Sequence, residues 1–394
     1  MKIPTSIKRW SPLFFLVLIG CLVQFKSIVA FTKWLKKPDS AIHQLVDSAD
    51  NLIQVALLLD TSGSMDGLIE QAKSQLWQIL NQLVQTEKNN QGPRIEIALY
   101  QYGNDGIPSS ADYIEQVLTF TNDMDAVSDA LFQLRTNGGE EYCGKAISNA
   151  LEDLPWSNHP NNLRLIYIAG NEGFDQGPLA FKVACKAAKE KDIMVNTIFC
   201  GPSIEGMRMG WQQAALLTGG HYANIDHNEA TAYIETPFDQ DIARLNNQLN
   251  STYIPFGQMG LEKCKLQADQ DVNALQYSLS NVVDRAVFKI SGNYENAHWD
   301  LVDAYAQDST LLSRKLELTG AFGELSKEEL KAKIAACKTE RDLISSKINL
   351  LNAKRQSSIA KISAENGIAQ SQSLKNSVLQ SFEGVAKQKG FKLK

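Results

Sequence analysis

The sequence lacks the patterns that identify several large classes of protein. Its 394 residues include only six cysteines and five histidines. These have neither the C-x-x-C spacing nor the Cys/His spacing of structural zinc sites. The longest apolar run, residues 12–23, is too short to cross about 30 Å of hydrocarbon as a helix. Glycine, proline and charge contents are ordinary, which excludes collagen-like and wholly disordered chains and indicates a globular protein.

Common catalytic motifs are also missing. The sequence contains no G-x-S-x-G, no complete P-loop and no G-x-G-x-x-G. The D-T-S at residues 60–62 differs from the D-T-G of aspartic proteases, and no second copy offers the partner carboxylate. No histidine lies in a motif that would make it a general base. These absences predict that the chain is not an enzyme.

The first 30 residues have the layout of a secretory signal peptide, with Lys2, Lys8 and Arg9 before the apolar run. Cleavage is predicted after Ala30, or Cys21 is lipidated as in a bacterial lipobox. Residues 31–50 are expected to be a linker. The chain is therefore predicted to be exported to the periplasm, cell envelope or extracellular space. A lipid anchor at Cys21 is its only predicted membrane attachment.

Export changes how the remaining cysteines are interpreted. An odd number of them in an oxidising compartment predicts up to two disulfides and one free thiol. Cys143 and Cys200 are expected at the same edge of the fold and are one candidate pair.

Charge is unevenly distributed along the chain. The net charge is −5, yet residues 326–394 hold 14 Lys/Arg and 6 Asp/Glu. Such a basic segment could attract nucleic acid or anionic lipid. Because its basic residues follow a helical pattern without interleaved aromatics, a solvated helix face is favoured and no nucleic-acid partner is predicted.

Hydrophobic periodicity predicts an α/β domain over residues 51–250. Continuously apolar runs such as 54–59 and 163–169 are typical of strands buried on both faces of a parallel sheet. Their alternation with helical patterns predicts a doubly wound, mostly parallel sheet flanked by helices. The predicted strands are 54–59, 94–102, 113–120, 163–169, 194–199 and 221–225.

A helical region is predicted to follow. Residues 251–325 form a weakly amphipathic extension, with helices expected at 261–290 and 309–318. A capping box at Ser326 and Glu329 and a four-three apolar repeat predict one long helix over 326–363. That helix could be a coiled-coil partner or a strut folded on the body. Residues 364–394 are expected to be a polar, basic tail.

Oxygen-bearing side chains follow the first predicted strand. Asp60, Ser62 and Ser64 lie on a glycine-containing turn between a strand and a helix. Ligands of such sheets bind beyond the carboxyl ends of the strands. Oxygen ligands suit Mg²⁺ and, less selectively, Ca²⁺ or Mn²⁺. The alternative is that Asp60 caps the helix and the serines bond the turn.

This stretch, LLLDTSGSM at residues 57–65, resembles the D-x-S-x-S motif of the metal-ion-dependent adhesion site in von Willebrand factor type A domains. The resemblance implies direct coordination by Ser62 and Ser64 and coordination through water by Asp60. It also implies a threonine on a later loop, which Thr136 matches.

At the fourth strand of the family pattern, this sequence departs from the pattern. The family usually has an aspartate there, whereas IAGNE at residues 168–172 has Gly170. Fewer carboxylates at the ion would lower its affinity but make it more electrophilic toward a carboxylate of a partner. The missing oxygen could come from Asn171, Glu172, Asp175, Glu140 or Glu141.

The segments 138–144 and 299–303 add a resemblance to uncharacterised exported bacterial proteins with such domains. The resemblance implies metal-dependent binding of a partner protein, whose acidic side chain completes the coordination. One alternative is a structural envelope protein with an empty site that self-associates through the long helix. A third possibility is that the chain is a hydrolase subunit or an accessory protein of an enzyme.

Overall fold

A six-stranded sheet forms the centre of the structure, a computed structural model that describes residues 51–226, 228, 233–313, 318, 320–365 and 373–393. The predicted signal peptide, lipidation site and linker in residues 1–50 lie outside this range. The strands are β1 (Leu52–Asp60), β2 (Thr86–Glu87), β3 (Arg94–Tyr102), β4 (Ile114–Thr121), β5 (Leu163–Gly170), β6 (Met194–Cys200), β7 (Tyr222–Ile225) and β8 (Lys392–Leu393).

The order of strands in the main sheet is β4-β3-β1-β5-β6-β7. Only β4 runs antiparallel to its neighbour; the other pairings are parallel. The short strands β2 and β8 pair separately and antiparallel. The helices are α1 (Asp66–Leu83), α2 (Met124–Gln133), α3 (Cys143–Asp153), α4 (Phe181–Glu190), α5 (Ser203–Arg208), α6 (Trp211–Thr218), α7 (Asp239–Asn250), α8 (Gly260–Tyr277), α9 (Leu279–Lys289), α10 (Leu301–Gln307), α11 (Lys327–Glu365) and α12 (Leu374–Ala386).

Strand β1 is apolar throughout because both faces of the sheet are covered. Its alternate side chains belong to two different cores, Val55 and Leu59 to one and Ala56 and Leu58 to the other. This division follows from the two-residue period of a strand. The predicted fold class, a doubly wound and mostly parallel sheet followed by a helical region with a long helix, is confirmed.

Helices from distant parts of the chain cover the two faces. The face carrying Ala56 and Leu58 is covered by α3, α4 and α6, which contribute Ile147, Phe181 and Trp211. The opposite face is covered by α1, α2 and, from the end of the chain, α12.

Helix α12 differs from the prediction of a polar, basic tail. Its residues Leu374, Val378, Phe382 and Val385 are buried in the same core as Val55. The hydroxyl of Ser381 donates to Tyr167 Oη of β5 at 2.9 Å. This segment therefore covers the sheet, and the prediction that it is a tail was wrong.

The long helix is a strut folded on the body. Positions of the predicted four-three repeat, among them Ile334, Ile344 and Ile348, are buried against α7, α9 and α10 and the segments around them. Arg341 on the same face forms ion pairs with Asp300 and Asp303 at 2.9 and 2.6 Å. Since the repeat is buried within the chain, it does not present a free coiled-coil seam.

Two other predictions in the helical region were wrong in detail. The helix expected over 261–290 is interrupted at Ser278, whose side chain accepts from Asn281 N at 3.0 Å and caps α9. Within the described part of 309–318, only a short 3₁₀ turn, Leu311–Ser313, is present.

The cysteines within the described residues are free thiols, so the predicted Cys143–Cys200 bridge was wrong. The thiol of Cys143 is buried and donates to Tyr102 Oη at 3.7 Å. None of the described helices is both long and apolar enough to cross a membrane.

Docking of α12 is tested by Phe382→Ala. Phe382 is 1% exposed, and truncating a buried Phe leaves a cavity that costs about 3–5 kcal/mol. We expect the free energy of unfolding in urea to fall by about that amount. Leu350→Ala, at a residue 60% exposed on α11, is the control and should change it by less than about 0.5 kcal/mol. Equal effects would contradict the packing of α12 on the sheet.

Candidate functional site

The candidate site lies where β1 ends at the carboxyl edge of the sheet. Asp60 is the last residue of this strand and is completely buried. Its Oδ1 accepts from the backbone N–H of Ser62 at 2.7 Å. Its Oδ2 is buried and has no hydrogen-bond partner among the described residues. A buried carboxylate oxygen left unpaired is costly, so this atom is suited to binding a proton, a water or a cation.

Two loops bring further oxygen atoms to this point. The hydroxyls of Ser62 and Ser64 are 3.4 Å apart on the turn after β1. From the loop after β5, Asn171 Nδ2 donates to Ser64 Oγ at 3.0 Å. Asn171 Oδ1 is buried and has no partner within the described ranges. Of the predicted site residues, the structure thus brings Asp60, Ser62, Ser64 and Asn171 together.

The loop that carries Thr136 is tied to the same turn. Asn137 N donates to Thr61 O at 2.9 Å, and Asn104 Nδ2 donates to Arg135 O at 2.8 Å. The hydroxyl of Thr136 donates to Asp66 Oδ1 at the start of α1. Asp66 is therefore part of the site region, although the sequence motif did not single it out.

Glu172 is placed differently from Asn171. Its side chain is exposed and accepts from Gln176 at 3.4 Å, and its backbone carbonyl accepts from Trp211 Nε1 at 2.7 Å. Its charge still acts on the site, because it raises the pKa values of Asp60 and Glu141. Glu172 thus lies near the site without contacting Asp60 directly.

Glu141 is a second buried carboxyl beside the serines, in addition to Asp60. It is 8% exposed, and a hydrogen bond from Ser62 lowers its pKa. Sequence reasoning gave it only as one of several possible sources of the missing oxygen. Choosing it requires the fold, because it lies far along the chain from the turn after β1.

Burial dominates the electrostatics of the two carboxyls. It raises the pKa of Asp60 to about 7 despite the hydrogen bonds from Ser62, and the charges of Glu141 and Glu172 raise it further. Burial likewise raises the pKa of Glu141 to about 7, with Glu172 and Glu140 adding to the rise. A divalent cation would oppose both shifts, because it stabilises the ionised carboxylates.

Close packing explains why residue 170 is a glycine. A Cβ at this position would lie 2.6 Å from Tyr102 Oη and 2.9 Å from Asp60 Oδ2. Tyr102 is fully buried and its hydroxyl donates to Ala169 O at 2.9 Å. The family's usual aspartate therefore does not fit here, since Tyr102 occupies the space.

The donor atoms present suit a hard cation. Asp60 Oδ2, Asn171 Oδ1 and the two serine hydroxyls are all oxygens, the ligands preferred by Mg²⁺, Ca²⁺ and Mn²⁺. Within the described residues, no three or more His, Cys, Asp or Glu side chains group as a metal site. A cation here would therefore depend on hydroxyl and amide oxygens as well as carboxylates.

The steric role of Tyr102 is tested by Gly170→Ala. We expect it to lower the free energy of unfolding by about 1–3 kcal/mol, as overpacking does. In a Tyr102→Phe background the loss should be smaller, because the clashing oxygen is gone. Gly292→Ala, where a Cβ would meet nothing within 4 Å, is the control. An unchanged loss in the Tyr102→Phe background would show that Tyr102 does not exclude a side chain at residue 170.

Comparisons with known proteins give a family match and several distant structural likenesses. BatB from Bacteroides thetaiotaomicron is 18% identical, with 44% of this chain and 90% of BatB covered and a TM-score of 0.35. Proximal thread matrix protein 1 from the mussel byssus, with a zinc-occupied MIDAS motif, is 9% identical with a TM-score of 0.34. That match covers 44% of this chain and 41% of the mussel protein.

The SpRpn10 VWA domain is 18% identical, with 44% of this chain and 88% of that domain covered and a TM-score of 0.33. No curated protein matches the chain. The family model of the von Willebrand factor type A domain matches residues 54–208, a range that runs from β1 to α5 and includes every predicted site residue. The chain therefore carries a von Willebrand factor type A domain.

Proposed function

We propose that this domain binds a partner protein through a divalent cation, Mg²⁺ or else Ca²⁺ or Mn²⁺, at the carboxyl edge of its sheet. The observation that carries the proposal is the buried, unpaired Oδ2 of Asp60 beside the hydroxyls of Ser62 and Ser64. Such an arrangement is unfavourable by itself and becomes favourable around a cation.

Different residues would hold the cation in different ways. The hydroxyls of Ser62 and Ser64 and the amide oxygen of Asn171 are its expected protein ligands, and Asp60 acts directly or through water. Thr136 would join the ligands if its hydroxyl gave up its hydrogen bond to Asp66 and bound the cation instead. The carboxylate missing at Gly170 is replaced by Glu141, with Glu172 contributing charge from the rim.

A binding function is favoured over catalysis. Cys143 and Cys200, whose thiols interact with Asp60, are both buried, and burial raises the pKa of each thiol above the usual range. A protonated, buried thiol is a poor nucleophile. The cation would instead accept an acidic side chain from a partner protein. The leader-like first 30 residues support a place for this binding outside the cytoplasm.

The alternative, a structural protein that self-associates through α11 with an empty site, has less support. The apolar repeat of α11 is buried against the chain's own helices. A structural role also gives no reason for the unpaired oxygen of Asp60.

Calorimetric titration of Mn²⁺ or Mg²⁺ into the protein tests the proposal. We expect a binding heat for the wild type, none for Asp60→Ala, and an affinity lowered at least about tenfold for Ser64→Ala. Asp60→Ala should remain folded, because it removes a buried carboxyl whose second oxygen is unpaired.

The matched control is Ser148→Ala, which removes an exposed hydroxyl of α3 bonded to Glu152. It should bind the cation as the wild type does. Absence of heat in the wild type, or equal heat in Asp60→Ala, would refute the proposed site and favour the structural alternative.

A further inference from the structure

A cavity of about 400 Å³ lies between α1, α9, α11 and α12, and none of the candidate metal-site residues lines it. Its volume is within the range of small-ligand sites, about 300–1,000 Å³. Twelve of its sixteen lining residues are polar, and seven of those are asparagine or glutamine. Such a density of carboxamides is unlike the apolar packing elsewhere between these helices, so the lining calls for an occupant that forms hydrogen bonds.

Two deeply buried acceptors in this cavity lack donors. Asn81 is 9% exposed and Asp284 is 6% exposed. Asn81 Nδ2 donates to the backbone carbonyl of Asp284 at 2.7 Å, which fixes the orientation of the amide. Asn81 Oδ1 and Asp284 Oδ2 have no hydrogen-bond partner among the residues that the structure describes. Both are acceptor atoms, so the occupant must be a donor.

The charges in and beside the cavity balance. Arg355 donates to Asp239 at 3.1 Å and to Asp284 at 2.9 Å and also bonds Ser280, so its guanidinium is held in place. Lys375 is the other basic residue of the lining. Two basic residues then face two carboxylates, and the cavity selects neither an anion nor a cation.

We propose that this cavity binds a neutral saccharide of one or two sugar units. Hydroxyl groups both donate and accept, which matches carboxamides, and they would donate to Asn81 Oδ1 and Asp284 Oδ2. The apolar lining residues Val287, Ile359 and Leu379 would pack against the C–H faces of the sugar. This site is independent of the proposed cation site.

Saturation-transfer difference NMR on the full chain tests the proposal. The probes are glucose, galactose, N-acetylglucosamine, maltose, cellobiose and trehalose, with glutamine as a zwitterionic comparison. We expect saturation transfer to at least one saccharide and none to glutamine. Asn352→Trp, which fills the cavity from α11, should abolish the transfer. Asn352→Ala, which removes one hydrogen-bonding group, should weaken binding about five- to tenfold.

The matched control is Asn349→Trp, one turn earlier on the same helix at an exposed position outside the lining. It should leave saccharide binding unchanged. Thermal unfolding of each variant shows whether it is folded. If Asn352→Trp does not fold, the result for Asn352→Ala decides the question. Transfer to no saccharide, transfer to glutamine instead, or equal binding in the Asn352 and Asn349 variants would overturn the proposal.

Discussion

Strand β1 imposes the main constraint on this fold, because it has apolar side chains on both faces and both must be shielded from water. Nearby segments of the chain cover one face with α3, α4 and α6. The other face is only partly covered by α1 and α2, and α12 completes it from the far end of the chain. The long strut α11 therefore does more than extend from the domain. It packs along α7, α9 and α10 in two hydrophobic clusters of their own, and the next helix in the chain, α12, packs in the core of the sheet.

The same strand fixes the chemistry of the candidate site. Asp60 pairs with Tyr102 of β3 in the register of the sheet, and Leu59 pairs with Ala169 of β5. Three adjacent strands thus end together, and the buried hydroxyl of Tyr102 fills the space beside Gly170. A carboxylate on β5 is excluded by this packing. Glu141, on the loop before α3, supplies a second buried carboxyl close enough to act on Asp60, without an aspartate at residue 170.

The strands and the turn after β1 could be predicted because the residues that specify them are adjacent in the sequence. An apolar run of strand length followed by Asp60, Ser62 and Ser64 defines both an element and its end. The role of α12 could not be predicted in this way. Its buried residues Leu374, Val378 and Phe382 are regularly spaced, but Ser377 and Ser381 between them are also buried, and buried serines make an inward face look polar. The roles of Asp66 and Glu141 depend on which loops the sheet brings together, and no local pattern contains that information.

The helical region also affects the candidate site through α2. Arg285 of α9 is completely buried and pairs with Asp125 of α2 at 2.5 Å and with Asp271 of α8 at 2.6 Å. Gln270 of α8 accepts from Ser128 of α2 at 2.7 Å. Removing a partner from such a network leaves a charge buried and unpaired, which is strongly unfavourable. These contacts therefore hold α2 against the helical region along much of its length. Because α2 leads directly into the loop that carries Thr136, the helices beyond the type A domain fix one of the loops that border its candidate metal site.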